Sequence, residues 1–144
     1  MTAPRGRVLA LDLGDVRIGL ALSDELGITA QPAGCLARSG GRSDLKAIRV
    51  LVEEHGVSRI VVGLPLLLSG EEGTRAQGAR ETADRLRRTL PGIAVELWDE
   101  RLTTAEAERV MIADGVRRKR RRETIDAMAA VLILQSWLGA HPED

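Results

Sequence analysis

Asp12 stands at the end of an apolar run and is followed by Gly14, Arg17 and Gly19 within LALDLGDVRIGLALSD, residues 9–24. An uncompensated carboxylate beside a buried strand costs on the order of several kcal/mol, so something must offset it. A divalent cation held by oxygen ligands would do so, and so would a hydrogen bond to the following turn. Two further acidic positions could join such a site. Asp99 and Glu100 close the run IAVELWDE, and Asp126 opens TIDAMAAVLILQSWL. Each also has a plain structural role open to it: Glu100 could pair with Arg101, and Asp126 could be a first-turn acid favoured by the helix dipole, with Thr124 as cap.

The elements that must carry these acids follow from periodicity and punctuation. Strands are expected at about 7–12, 17–23 and 28–37, joined by short connections into an antiparallel meander, with Pro32 suiting the last of them to an edge. A helix is expected from Ser43 to His55, with Leu45, Ile48 and Val52 on one face and Gly56 as its stop signal. The all-apolar run RIVVG then reads as a buried parallel strand. After the loop LPLLLSGEEG, Thr74 and Gln77 form a capping box for a helix bearing Ala76, Ala79, Ala83, Leu86 and Leu90, which Pro91 and Gly92 end. The strand IAVELWDE follows. Thr103 and Glu106 suggest another capping box, for a helix stopping near Gly115, and a basic loop leads into the last helix. Alternation along IAVELWDE puts Val95, Leu97 and Asp99 on one face and Glu96, Trp98 and Glu100 on the other. Only one of Asp99 and Glu100 can therefore enter a site; the longer arm of Glu100 favours it, and a bulge or twist would reverse the choice.

The 144 residues suit a single domain spanning 1–144, with no internal repeat or linker. Twenty-one basic and 21 acidic residues cancel, so affinity for a polyanion must come from uneven placement. That placement is uneven: Arg117, Arg118, Lys119, Arg120, Arg121 and Arg122 form an unbroken basic run just before Asp126. It reads either as a solvated loop or as a surface that holds phosphates without reading sequence. Arg17 and Arg101, each close to an acid of interest, could likewise position a phosphate or pair with a neighbouring carboxylate. Aromatic stacking of bases is poorly supplied, since Phe and Tyr are absent and only Trp98 and Trp137 remain. Cys35, the single cysteine, can form no internal disulfide and no zinc cluster. No stretch approaches the ~20 apolar residues of a membrane span, and a cytoplasmic location is expected.

Three meandering strands followed by alternating helices and strands describe a ribonuclease H-like α/β fold: a five-stranded mixed sheet, three strands antiparallel and then two parallel, flanked by helices. DLGDVRIGLALSD, VVGLP, DERLTT and IDAMAAVLILQSWL, in that order over nearly the whole chain, resemble the YqgF family, which is similar to RuvC-type Holliday-junction resolvases. The resemblance implies a nuclease with Mg2+ or Mn2+ as cofactor, acting in 5′-end maturation of pre-16S ribosomal RNA. By it, Asp12 and Asp126 match acidic positions of the family directly, and Asp99 with Glu100 supplies a third. A two-metal phosphodiester hydrolysis would use Asp12, Glu100 and Asp126 as ligands, with Asp99 as the alternative to Glu100. In many RuvC-type sites an acid ends the fourth strand, where this chain has Gly63, Leu64 and Pro65.

Expected partners are precursor rRNA, ribosomal assembly intermediates and, as a second polynucleotide, DNA, with the chain monomeric or a weak homodimer. Three other readings compete. One is a DNA nuclease for branched junctions, and another is an RNA-binding assembly factor of weak activity. The third is a phosphate-binding hairpin of the actin and sugar-kinase type, which needs two lobes where this length gives one. The absence of GxxxxGK[ST] argues against a P-loop ATPase.

Overall fold

Alternation along the first strand dictates two covered faces, because neither the set Leu9 and Leu11 nor the set Val8 and Ala10 is polar. In the computed structural model, β1 (Arg7–Leu13), β2 (Arg17–Ser23) and β3 (Ala30–Ala37) form the meander, followed by α1 (Gly41–His55) and β4 (Val57–Leu64). Then come α2 (Thr74–Thr89), β5 (Ala94–Asp99), a 3-10 turn at Glu100–Leu102, and α3 (Arg118–Ala140). The structure describes residues 6–67, 69–102 and 118–142, with the side chains of 102 and 118–126 excepted.

The sheet order is β3-β2-β1-β4-β5. β1 pairs antiparallel with β2 and parallel with β4; β2–β3 is antiparallel and β4–β5 parallel. This is the expected mixed sheet, with β3 and its Pro32 at an edge. Leu9, Leu11, Leu20, Ile60 and Val62 pack with Ile48 and Val52 of α1 and with Ala76, Ala79, Ala83 and Leu86 of α2. On the opposite face Val8, Ala10, Ala21 and Val61 meet Ala130, Ile133, Leu134 and Trp137 of α3.

Gly56 ends α1 as expected, in the left-handed conformation at φ 62° and ψ 43°. Three expectations change. The N-cap of α2 is Gly73, with no side-chain cap bond, so the Thr74–Gln77 box does not form. α3 begins at Arg118, so the basic run from Arg118 to Arg122 is helical backbone and not a loop. Asp126 consequently lies two turns inside α3, beyond the reach of a first-turn dipole argument. The helix expected to stop near Gly115, with Thr103 and Glu106, lies outside the described residues, as does Arg117.

Candidate active site at the carboxyl end of β1

The turn after Asp12 is built by backbone contacts that require glycine. The Gly14 N–H donates to the Arg17 carbonyl at 2.9 Å and, less directly, to the Asp12 carbonyl at 3.2 Å. A Cβ at residue 14 would lie 2.7 Å from the Arg17 oxygen, inside contact distance. The Arg38 guanidinium donates to the Gly14 carbonyl at 2.6 Å and braces the turn from the far end of β3. Asp12, half-buried, is thus set at the rim of a rigid hairpin, opposite Gly19 of β2.

Alternation puts Asp12 on the face of Val8 and Ala10, under α3. Glu100, one residue beyond β5, follows Glu96 and Trp98 onto that same face, and its carboxyl hydrogen-bonds the Asp12 carboxylate. Burial, then this hydrogen bond and the Asp12 charge, push the Glu100 carboxyl up to about 8, with Arg75 pulling the other way. A carboxyl held protonated against a second carboxylate is the form two acids take when no cation lies between them. Such an all-oxygen donor pair suits a hard divalent ion.

Asp99 faces elsewhere. Its carboxylate accepts from the Arg101 side chain at 2.8 to 3.1 Å and from the Arg101 backbone N–H at 2.9 Å. The Arg101 side-chain hydrogen bond is the main reason its carboxyl is held below the usual range. Arg101 is accordingly engaged by Asp99. Arg17 opens β2, exposed beside the hairpin turn.

Position 126 shares helical spacing with Ala130 and Ile133, both wholly buried against the face that carries Asp12. The Asp126 side chain, and those of Arg118, Lys119, Arg120, Arg121 and Arg122, lie outside the described residues. Among the described residues no group of three or more His, Cys, Asp and Glu converges. The pair Asp12 and Glu100 is what the described side chains bring together.

One cation at this site was not anticipated. Arg75, in the first turn of α2, is close enough for its charge to act on Glu100, and its Nε lies 3.8 Å from the Asp15 carboxylate. That pair is weak, with 62% and 84% of the two side chains exposed. Only the strand order, which sets the start of α2 beside the β1–β2 turn, reveals it; the sequence separation gives no signal. Both tryptophans are committed inward: Trp98 donates to Ser136 at 2.9 Å, and Trp137 donates to Glu96 and stacks on His141.

A family model described as "RuvX: Holliday junction resolvase" matches residues 6–140. A Myxococcus xanthus protein named "Putative pre-16S rRNA nuclease" is 49% identical over 135 residues, 94% of this chain and 89% of its own length. A protein of the same name from Pelotomaculum thermopropionicum is 50% identical over 133 residues, 92% of this chain and 86% of its own. In fold, the chain resembles Thermus thermophilus RuvC bound to a Holliday junction, with a TM-score of 0.57 and 13% identity, covering 94% of this chain and 96% of that one. The Fowlpox virus resolvase in complex with junction DNA gives 0.60 at 7% identity, covering 95% and 99%. These last two establish the ribonuclease H-like fold alone. With nearly its whole length matched by the family model and relatives near half identity, the chain belongs to the YqgF, or RuvX, family.

Proposed function

We propose that the protein is a metal-dependent nuclease that hydrolyses a phosphodiester in structured RNA, with 5′-end maturation of pre-16S rRNA as its role and the cytoplasm as its location. The observation that carries this is the pairing of Asp12, on β1, with Glu100, from the turn that follows β5, at the carboxyl end of β1. The names of its near relatives support the choice of RNA, and the family description supplies the rival substrate, a branched DNA junction.

Asp12 and Glu100 would hold Mg2+ or Mn2+, with Asp126 as a third ligand from α3. When bound, the ion supplies charge stabilisation at the phosphate and a more acidic attacking water. The protein's own part is positional. The braced hairpin fixes the Asp12 backbone, and the Glu100 carboxyl is largely buried over Gly63, where Ile133 of α3 also packs. Arg75, whose ion pair with Asp15 is exposed and weak, is placed to release that partner and take a phosphate oxygen. Arg17 sits on the same rim, and the run from Arg117 to Arg122 would bind flanking phosphates without reading sequence. Arg101 is the weakest of the proposed phosphate contacts because Asp99 already occupies its fork. With both tryptophans committed inward, backbone contact rather than base stacking is the mode of binding this chain supports. No helix among the described residues is long and apolar enough to cross a membrane.

The test compares the full chain and Asp12→Asn on a pre-16S rRNA fragment and a four-way DNA junction, with Mg2+ or Mn2+. Scission of the RNA by the wild type, lost on the order of a hundredfold or more in Asp12→Asn with RNA affinity retained, is the expected result. Cutting of the junction alone would move the substrate to DNA. Metal and RNA binding with no scission of either would make the protein an assembly factor.

A further inference from the structure

β4 lies between the strands that bear Asp12 and Glu100, since the sheet runs β1-β4-β5. β1 and β5 are therefore two strand spacings apart, roughly 9 to 10 Å, and a carboxyl leaving the end of β5 must pass over β4 to reach β1. At the crossing point β4 carries Gly63, whose face is that of Val61 and of α3. A Cβ built on Gly63 would lie 3.0 Å from both Cγ and Cδ of Glu100 and 2.7 Å from Cδ1 of Ile133. The Glu100 side chain thus occupies the space that any other residue at 63 would fill. Ile133 closes the space from above and is fully buried, so it has little room to retreat.

We infer that Gly63 is a positioning residue of the active site: its missing side chain is the passage through which Glu100 reaches Asp12. A ligand group from β5 serves here only because the end of β4 is bare. The inference rests on the reading of Asp12 and Glu100 as a metal-holding pair. It also accounts for the choice of glutamate, because an aspartate at 100 is one methylene too short to cross the strand.

The experiment measures Mn2+ affinity of the full chain by titration calorimetry and by the spectrum of free Mn2+, alongside thermal unfolding without metal. Ile133→Val removes the 2.7 Å clash while leaving the one with Glu100, so Gly63→Ala/Ile133→Val separates core crowding from displacement of the carboxyl. Affinity should fall about tenfold or more in that double variant and in Glu100→Asp, the range seen when a ligand's supports are lost. In a Glu100→Gln background the same changes at 63 and 133 should alter the remaining affinity by less than about twofold, since the effect acts through the carboxylate. Wild-type affinity in the double variant, or an equal loss with and without the Glu100 carboxylate, overturns the role of Gly63. Glu100→Asp requires no repacking and decides the matter if the double variant does not fold: wild-type affinity there removes the need for reach. Unchanged affinity in Glu100→Gln alone would instead sink the metal-site reading on which the inference stands.

Discussion

On the face covered by α1 and α2, the strands present Leu9, Leu11, Leu20, Ile60 and Val62; on the face under α3, the same strands present Ala10, Asp12, Gly19, Ala21, Val61 and Gly63. The first set fills space with branched side chains against two helices. The second is small, letting the apolar part of α3, from Ala127 onward, approach closely and leaving bare backbone on both sides of Asp12. Bulky packing and the Asp12–Glu100 carboxyl pair are thereby divided between faces of one sheet, and a residue's effect should depend on which face it occupies. The loss of bulk under α3 is not idle, because a carboxylate pair needs room that a leucine layer would have filled.

The largest effect that would break this contrast lies on the leucine face. Ile60→Ala removes a wholly buried side chain packed between the sheet and the two-helix layer, and should cost about 2 to 5 kcal/mol in denaturant unfolding. Mn2+ affinity of the fraction that remains folded should not change. A loss of metal affinity beyond that explained by unfolding would mean that the two faces are coupled.

On the other face, Glu100→Gln should have the opposite signature. The native carboxyl keeps its proton up to about 8, while in the unfolded chain it ionises near the ordinary glutamate value of 4.5. The folded state then binds the extra proton between those values, so the stability of the metal-free protein falls as pH rises through that window. Glu100→Gln cannot titrate and should flatten this slope, with little loss of stability near pH 5. For the same reason, metal must displace a proton below about pH 8, so wild-type Mn2+ affinity should climb with pH up to that point and release protons in unbuffered calorimetry. A wild-type stability profile with the same slope as Glu100→Gln would show that the pair does not share a proton as described.

How far the sequence reveals all this differs between the faces as well. The strands, the antiparallel meander with Pro32 at its edge and the end of α1 follow from alternation, from Gly56 and Pro32 and from the short connections, because each is a local signal; the position of β4 between β1 and β5 is not local. Alternation also separates Glu100 from Asp99, since the 3-10 turn begins at Glu100 without reversing its side. The long arm of Glu100 reads in the sequence as mere reach; why reach is required depends on β4 lying between β1 and β5. Gly63 looks in the sequence like a missing acid, and only in three dimensions does its emptiness become useful. The start of α3 is misread because six cations suggest a solvated loop, whereas Arg and Lys are good helix formers and the buried run from Ala127 onward supplies the packing.

The smallest expected effect, and the one that most sharpens the division, concerns the cation the sequence does not reveal. Arg75 lies on α2, a helix of the leucine face, yet its charge acts on Glu100 across the rim of the sheet. If the rim joins the two faces functionally, Arg75→Ala should lower kcat/KM for RNA cleavage about tenfold, the size of one lost charge-assisted phosphate contact, with unfolding hardly altered because the Asp15 pair is exposed. Arg75→Lys should recover only part of the loss, since a point charge replaces a planar fork. Arg49→Ala supplies the control: Arg49 bonds Glu53 at 3.2 Å on the exposed side of α1, and its removal should leave cleavage untouched. Equal activity of Arg75→Ala and Arg49→Ala would confine the chemistry to the α3 face and return Arg75 to the status of a surface cation.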